Sequence, residues 1–535
     1  MTSSLFKSPL AIAASLTLTL AACGGGGGGS DPTPPPPAST GKLSLVGDRT
    51  ITQANDLRGV TYAANGKIYA SGHSGAVTSD RRTVVARFNA DGSLDTTFGT
   101  GGTVSFNLAV KDATNPTSTG DEQSSSIVEL SNGDLIVAVN LADNNGGAPI
   151  SNGTTTLPRP EGASVVLLRL TSTGAPVASF GTNGVAKVDF GWTDADNAAW
   201  PTPTFNAAGT ALVGTGYPRD TMWNIQRDPS ATGTNERIVV FGFGPAARAA
   251  TGTQRTDNDR YVIRIMAGTG APDAAFNGGK PFTWNSPDSA TDNTRNGIVE
   301  PDGRIVSGGY SGVSGGGLNR IVVFRLNTSG QLDSTFGNFG LTPPQPGVAV
   351  FNSFAVNNGP SEAYGIGRQS DGKIVTTGYG GATAVTTPAT ASTLGYVSTL
   401  MPDLLTYRIG GAGLDPAYGN NGALAVQSEG KNRGTTEDRG RALVVLSDDR
   451  TVQVGHYGGG AAVYVFTKDG RLDTRADVGF TELAGAVSGD GILELPASAT
   501  LATPNSVALS PDGKRLAVTT SADDAGARLV VLNVD

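Results

Sequence analysis

The sequence predicts an all-β chain: a seven-bladed β-propeller of four-stranded antiparallel blades, its ring closed by an N-terminal strand. Three observations carry this. The 535 residues include 76 Gly and 30 Pro but only 16% charged residues, so turn formers are plentiful and charge falls below the roughly 25% of an ordinary soluble domain. A strand–turn–strand pattern recurs along the chain, as repeat architectures require. The last copy stops one strand short, while a lone strand precedes the first.

Taken in order, Lys7 is followed by an apolar run from Pro9 to Leu20 and then Leu20-Ala21-Ala22-Cys23. The run is shorter than the ~20 residues that span a bilayer, and it reads as the core of an export signal over residues 1–22. Cys23 is the only Cys in the chain, which excludes a disulfide framework and a cysteine zinc site. Residues 23–40 continue through Gly24–Gly29 and Pro34–Pro37, a flexible and then stiff tether that cannot build a core. The balance of 38 basic against 46 acidic residues, with no basic stretch, argues against a nucleic-acid partner.

The body is read as residues 41–535. Each unit opens with a strand, a tight turn and a second strand, as at Asn65-Gly66-Lys67-Ile68, Asn132-Gly133-Asp134-Leu135, Asp302-Gly303-Arg304-Ile305, Asp371-Gly372-Lys373-Ile374 and Asp512-Gly513-Lys514. Asn-Gly and Asp-Gly supply the positive φ that a two-residue hairpin demands. Degenerate copies stand at Asn235-Glu236-Arg237-Ile238 and Asp448-Asp449-Arg450. A third strand follows, such as Ile321–Leu326, and then a tail. The tail is clearest in Leu94-Asp95-Thr96-Thr97-Phe98-Gly99 and Leu332-Asp333-Ser334-Thr335-Phe336-Gly337. A fourth strand, such as Thr103–Phe106, closes the unit.

The units recur about every 64–77 residues, which gives blades near 50–110, 121–190, 222–286, 289–353, 359–428, 436–485 and 496–535. Residues 191–221 are extra, an insertion or the remnant of an eighth blade. The last unit lacks a fourth strand, and residues 41–48 are expected to supply it, which would leave no open edge.

These motifs resemble the delta-sixty tandem repeat of bacterial proteins over most of residues 56–485. The last unit, from Ser510 to Val518, looks like the blade of lactonase-type propellers. Neither resemblance implies an activity. The Leu-Ala-Ala-Cys stretch resembles the bacterial lipobox. That resemblance implies cleavage before Cys23, its lipidation, and attachment to the cell envelope. Gly24 beside it favours the outer membrane.

Long connections, named here as 141–163, 191–222, 244–258, 341–358 and 381–404, are expected to join second to third strands and fourth strands to the next unit. They would crowd one face, where binding residues concentrate. Five residues into each second strand stand His73, Asn140, Phe243, Tyr310, Tyr379, His456 and Ser521. His73, Tyr310, Tyr379 and His456 are candidate ligand-binding residues at that face; the alternative is packing between blades. Trp192 and Trp200 bracket Asp194 and Asp196, an aromatic platform for a sugar or a pin for the loop. Trp223 and Trp284 are read as core.

The recurring Asp95, Asp273, Asp333, Asp415 and Asp473 are read as turn residues bonded to local amides, aided by Arg87, Arg264 or Arg325. No catalytic motif, metal site or cofactor site is found. The expected function is a monomeric, non-enzymatic binding or display scaffold for a protein or glycan partner. The alternative is an envelope hydrolase or lyase with its site in the channel mouth.

Overall fold

The computed structural model describes residues 43–75, 81–108, 121–143, 150–157, 162–191, 204–213, 220–247, 255, 257–287, 291–313, 317–351, 361–384, 396–411, 413–420, 422–426, 438–457, 460–473, 491–495, 503–521 and 526–534. Residues 1–42, which include Cys23 and the expected signal and tether, lie outside the described residues.

The described body is all β, built from four-stranded antiparallel sheets. The third unit is representative: Thr221–Arg227, Arg237–Pro245, Asn258–Met266 and Phe282–Trp284 pair in chain order. Strand Leu43–Ile51 pairs antiparallel with Ala527–Val534, Leu43 opposite Val534 and Ile51 opposite Ala527. A single strand pairing, Asp56 with Ser521, joins the first unit and the last into one eight-stranded sheet.

Apolar residues alternate along the strands and pack between consecutive units rather than within one central core. Ile127, Val137 and Leu168 meet Tyr69 and Phe98 between the first and second units. Ile321, Phe351, Leu405 and Tyr407 fill the space between the fourth and fifth. Leu57 and Val84 meet Leu529 and Val531 between the last unit and the first. A unit cannot hide these faces alone, which is why the repeat must stack.

Where the tail carries its Asp, it holds the turn end of the unit. Asp333 accepts from the Thr335 N–H at 3.0 Å and from Arg325 Nε at 2.8 Å, and the Arg325 guanidinium lies 4.9 Å from the Phe336 ring centre. Gly330 sits at φ +82°, and a Cβ there would come within 2.9 Å of the Phe276 ring of the preceding unit; the turn therefore needs glycine for both conformation and space.

The structure departs from expectation at three places. Residues 341–347 precede the fourth strand Val348–Phe351, so they belong to a third-to-fourth connection on the turn end. Much of 381–404 is strand, because Ile374–Ala384 and Tyr396–Ile409 extend their hairpin into it. Within 191–221, the described residues form one short hairpin, Thr204–Phe205 with Leu212–Val213.

Candidate functional site

Every first strand carries one extra residue. The pairing of first with second strand skips at Arg58, Ser125, Trp223, Arg295, Tyr364, Arg441 and Asn505. An extra residue of this kind bends the strand and re-aims its side chain, and such bulges gather at functional sites. All seven side chains line one cavity of about 320 Å³, small but within the range of ligand sites.

The sequence makes room for each bulge. Opposite it stands Gly72, Gly242, Gly309, Gly378 or Gly455 in five units. At Gly309 a Cβ would sit 2.1 Å from the Asn293 carbonyl oxygen, so only glycine fits. Polar clips tie adjacent first strands: Asn224 Nδ2 donates to the Gly297 carbonyl at 2.9 Å, and Asn505 Nδ2 donates to Asp56 at 2.7 Å and to the Leu57 carbonyl at 3.0 Å.

Three guanidinium groups and two large aromatic rings dominate the cavity. Arg295 lies 4.6 Å from the Trp223 ring centre, 4.8 Å from Tyr364 and 4.9 Å from Tyr310, within cation–π range. Its Nη2 donates to Glu362 at 2.8 Å. Burial works against its charge, but Tyr364, Glu362 and Tyr310 outweigh burial and hold its pKa above the ordinary value. Arg58 Nε donates to Asp56 at 2.6 Å. Arg441 is different: its guanidinium lies 4.9 Å from the Tyr364 ring, and its buried Nε has no hydrogen-bond partner. Burial lowers its pKa; Tyr364 opposes this, while Arg439, Arg295 and Arg58 add to the lowering.

The four described candidate residues from sequence, His73, Tyr310, Tyr379 and His456, are not among the side chains that line this cavity. His73 is 5% exposed, its Nε2 3.3 Å from Arg81 Nη1, and burial lowers its pKa to about 4. His456 Nε2 stands 3.3 Å from the Thr503 hydroxyl. Tyr310 accepts a hydrogen bond from Asn293 and flanks Arg295, and burial raises its pKa. Tyr379 is buried, with Arg439 4.2 Å over its ring; burial and then Glu362 raise its pKa. Asn140 and Ser521, from the same register, line the cavity. Trp192 and Trp200 lie outside the described residues.

Trp284 is core as read, its indole N–H donating to Gln345 at 3.2 Å. Trp223 is corrected: it sits at a bulge and faces the cavity, because the extra residue breaks the strand alternation that would bury it. The seven bulge residues were missed by sequence reasoning although a signal exists. In six units they stand ten residues ahead of the second strand, as Arg58 before Ile68 and Arg441 before Thr451.

Residues 63–98 and 300–336 match a family model described as a domain of unknown function (DUF5122) beta-propeller. No curated protein matches the chain. Among solved structures, virginiamycin B lyase from Staphylococcus aureus is similar at 11% identity over 92% of this chain and 100% of that one, with a TM-score of 0.42. A chain of the mitotic checkpoint complex is similar at 10% identity over 98% and 99%, with a TM-score of 0.40.

Proposed function

We propose that this β-propeller is an exported, lipid-anchored binding protein of the bacterial cell envelope, with seven blades and its ligand site at the mouth of the channel. The observation that carries the reading is the ring of bulged side chains. Seven units of one repeat place seven residues at one register, and these residues differ: three Arg, a Trp, a Tyr, a Ser and an Asn line a single cavity. A position that served only the fold would be expected to repeat. The two carboxylates beside the arginines, Asp56 and Glu362, are each held by a guanidinium, an arrangement suited to holding a ligand more than to moving protons.

The seven-bladed, closed reading is supported by the pairing of Leu43–Ile51 with Ala527–Val534 and by the Asn505 clip to Asp56 and Leu57. The matched stretches 63–98 and 300–336 contain the turn and tail motifs on which the delta-sixty resemblance rests. The anchor rests on Cys23 and the residues before it, and an outer-membrane location on Gly24. Several acyl chains on one terminus would hold the body firmly where a single chain would not.

The experiment compares the full chain with Cys23→Ser in a diderm bacterial host. The parent is expected in the outer-membrane fraction and the variant in the soluble periplasmic fraction. The released body is expected to retain a defined set of ligands on a glycan array. Equal fractionation overturns the anchor, and an array with no bound glycan overturns glycan recognition.

A further inference from the structure

We propose that the mouth cavity is an oxyanion site in which Arg441, with Arg58 beside it, takes the carboxylate of an acidic sugar residue. This rests on the reading that the mouth is the ligand site, and it names the ligand class.

The charge balance of the cavity points to an anion. Arg295 is neutralised by Glu362 and Arg58 by Asp56. Arg441 makes no ion pair or hydrogen bond with any of the described residues, and its guanidinium lies 4.9 Å from the centre of the Tyr364 ring. It also stands in the field of Arg439, Arg295 and Arg58. A half-buried cation beside other cations is costly unless an anion meets it. Perturbed charges gather at functional sites.

The donors agree. Trp223 Nε1 is buried without a hydrogen-bond partner, as is the Ser125 hydroxyl. An indole N–H and a guanidinium can only donate, so the ligand must be rich in acceptors. A bare inorganic anion would use the guanidinium groups and leave the rest of the wall idle. That wall carries Gln123, Asn296 and Ser506 with the rings of Trp223 and Tyr364, a mixture of amide, hydroxyl and aromatic surface that suits the hydroxyls and apolar face of a sugar ring. One carboxylate on such a ring satisfies the one unmatched charge.

The test is isothermal titration calorimetry on the full chain in detergent micelles, with glucuronate, glucose, inorganic phosphate and sulfate as probes. Glucuronate is expected to bind, glucose at least tenfold more weakly, and both inorganic anions at least tenfold more weakly. Arg441→Gln is expected to weaken glucuronate at least tenfold, the loss of one charge-assisted contact. Its melting temperature is expected to hold or rise, because Arg441 makes no hydrogen bond or ion pair with a described residue. Raising NaCl from about 0.05 to 0.5 M is expected to weaken glucuronate severalfold in the parent protein, a readout independent of any variant.

Phosphate binding as tight as glucuronate, salt-independent binding, or equal affinity in Arg441→Gln each overturns the proposal. If neutral glycans bind on the array while glucuronate does not, the acidic-sugar inference falls and the binding reading stands. If neither binds, both fall.

Discussion

The two ends of each sheet obey different rules. At the turn end the same ionic device recurs: Asp95, Asp273, Asp333 and Asp415 hold Arg87, Arg264, Arg325 and Arg408 at 2.7–3.0 Å. A basic residue at the head of the second strand joins each cluster, as Lys67 does at 2.9 Å and Lys373 at 3.0 Å. At the cavity end the register is kept but the residue changes from unit to unit. Repetition marks the part that folds the protein, and departure from repetition is what the proposed binding site rests on. The second unit shows how strictly the first rule applies. Its tail has Val177 in place of Asp, and there Asp134 occupies the basic position and binds Arg169 at 2.6 Å. The carboxylate has moved, yet the ion pair survives.

The sharpest break of this contrast is Asp95→Ala. It leaves Arg87 and Lys67 facing one another without their carboxylate, at a site where Asp95 is 5% exposed. Removing one partner of a buried pair costs about 3 kcal/mol, so thermal or urea melts should show a large loss while glucuronate affinity stays unchanged. A loss of binding equal to the loss of stability would blur the two ends into one. Asp134→Lys should cost less, about 1–2 kcal/mol, and the double change Asp134→Lys with Val177→Asp should recover most of it by restoring the common pattern. A double-mutant cycle reads the coupling directly; additive effects would show that the moved carboxylate does not replace the missing one.

Much of the turn end was legible in the sequence, because Asn-Gly and Asp-Gly turns, tail Asp residues and alternating strands follow directly from backbone geometry. The strand preceding the first unit was legible for a topological reason, since the last unit carries only three strands of its own. The mouth was legible only in part. His73, Tyr310, Tyr379 and His456 were singled out by type at a shared register, yet the residues opposite the bulges are the glycines just before them, such as Gly72 and Gly309. A bulge adds one residue and so reverses the alternation on which inside and outside are read. Trp223 was read as core for that reason. Glycine followed by His, Tyr or Phe in a second strand was the available clue, and it marks a backbone irregularity rather than a ligand.

The smallest effect separates the two ends by pH. At the turn end the Thr97 hydroxyl, Lys67 and Arg87 hold the Asp95 carboxyl far below its ordinary range. A depressed carboxyl stabilises the fold above its unfolded pKa and loses that contribution as pH falls. At the mouth end burial pushes Asp220 and Asp292 up to about 7. These two stand three residues ahead of Trp223 and Arg295, each accepting from a backbone N–H of the preceding connection, Phe190 at 3.2 Å and Ser286 at 2.6 Å. A raised carboxyl contributes fully below its unfolded pKa near 4 and loses that contribution as pH rises through about 7. His73 runs the other way: with a folded value of about 4 against 6.5, it adds stability as pH rises from about 4 to 6.5 and is then spent. From about pH 6.5 to 8 the loss at Asp220 and Asp292 continues while His73 no longer offsets it, and the melting temperature should decline by about 1–2 °C. Asp292→Asn keeps an oxygen for the Ser286 N–H but cannot ionise, so its melting temperature should decline less over that interval than the parent's. Parallel curves for the two proteins would mean that Asp292 is charged in the folded state, and that both ends of the sheet rest on paired ions after all.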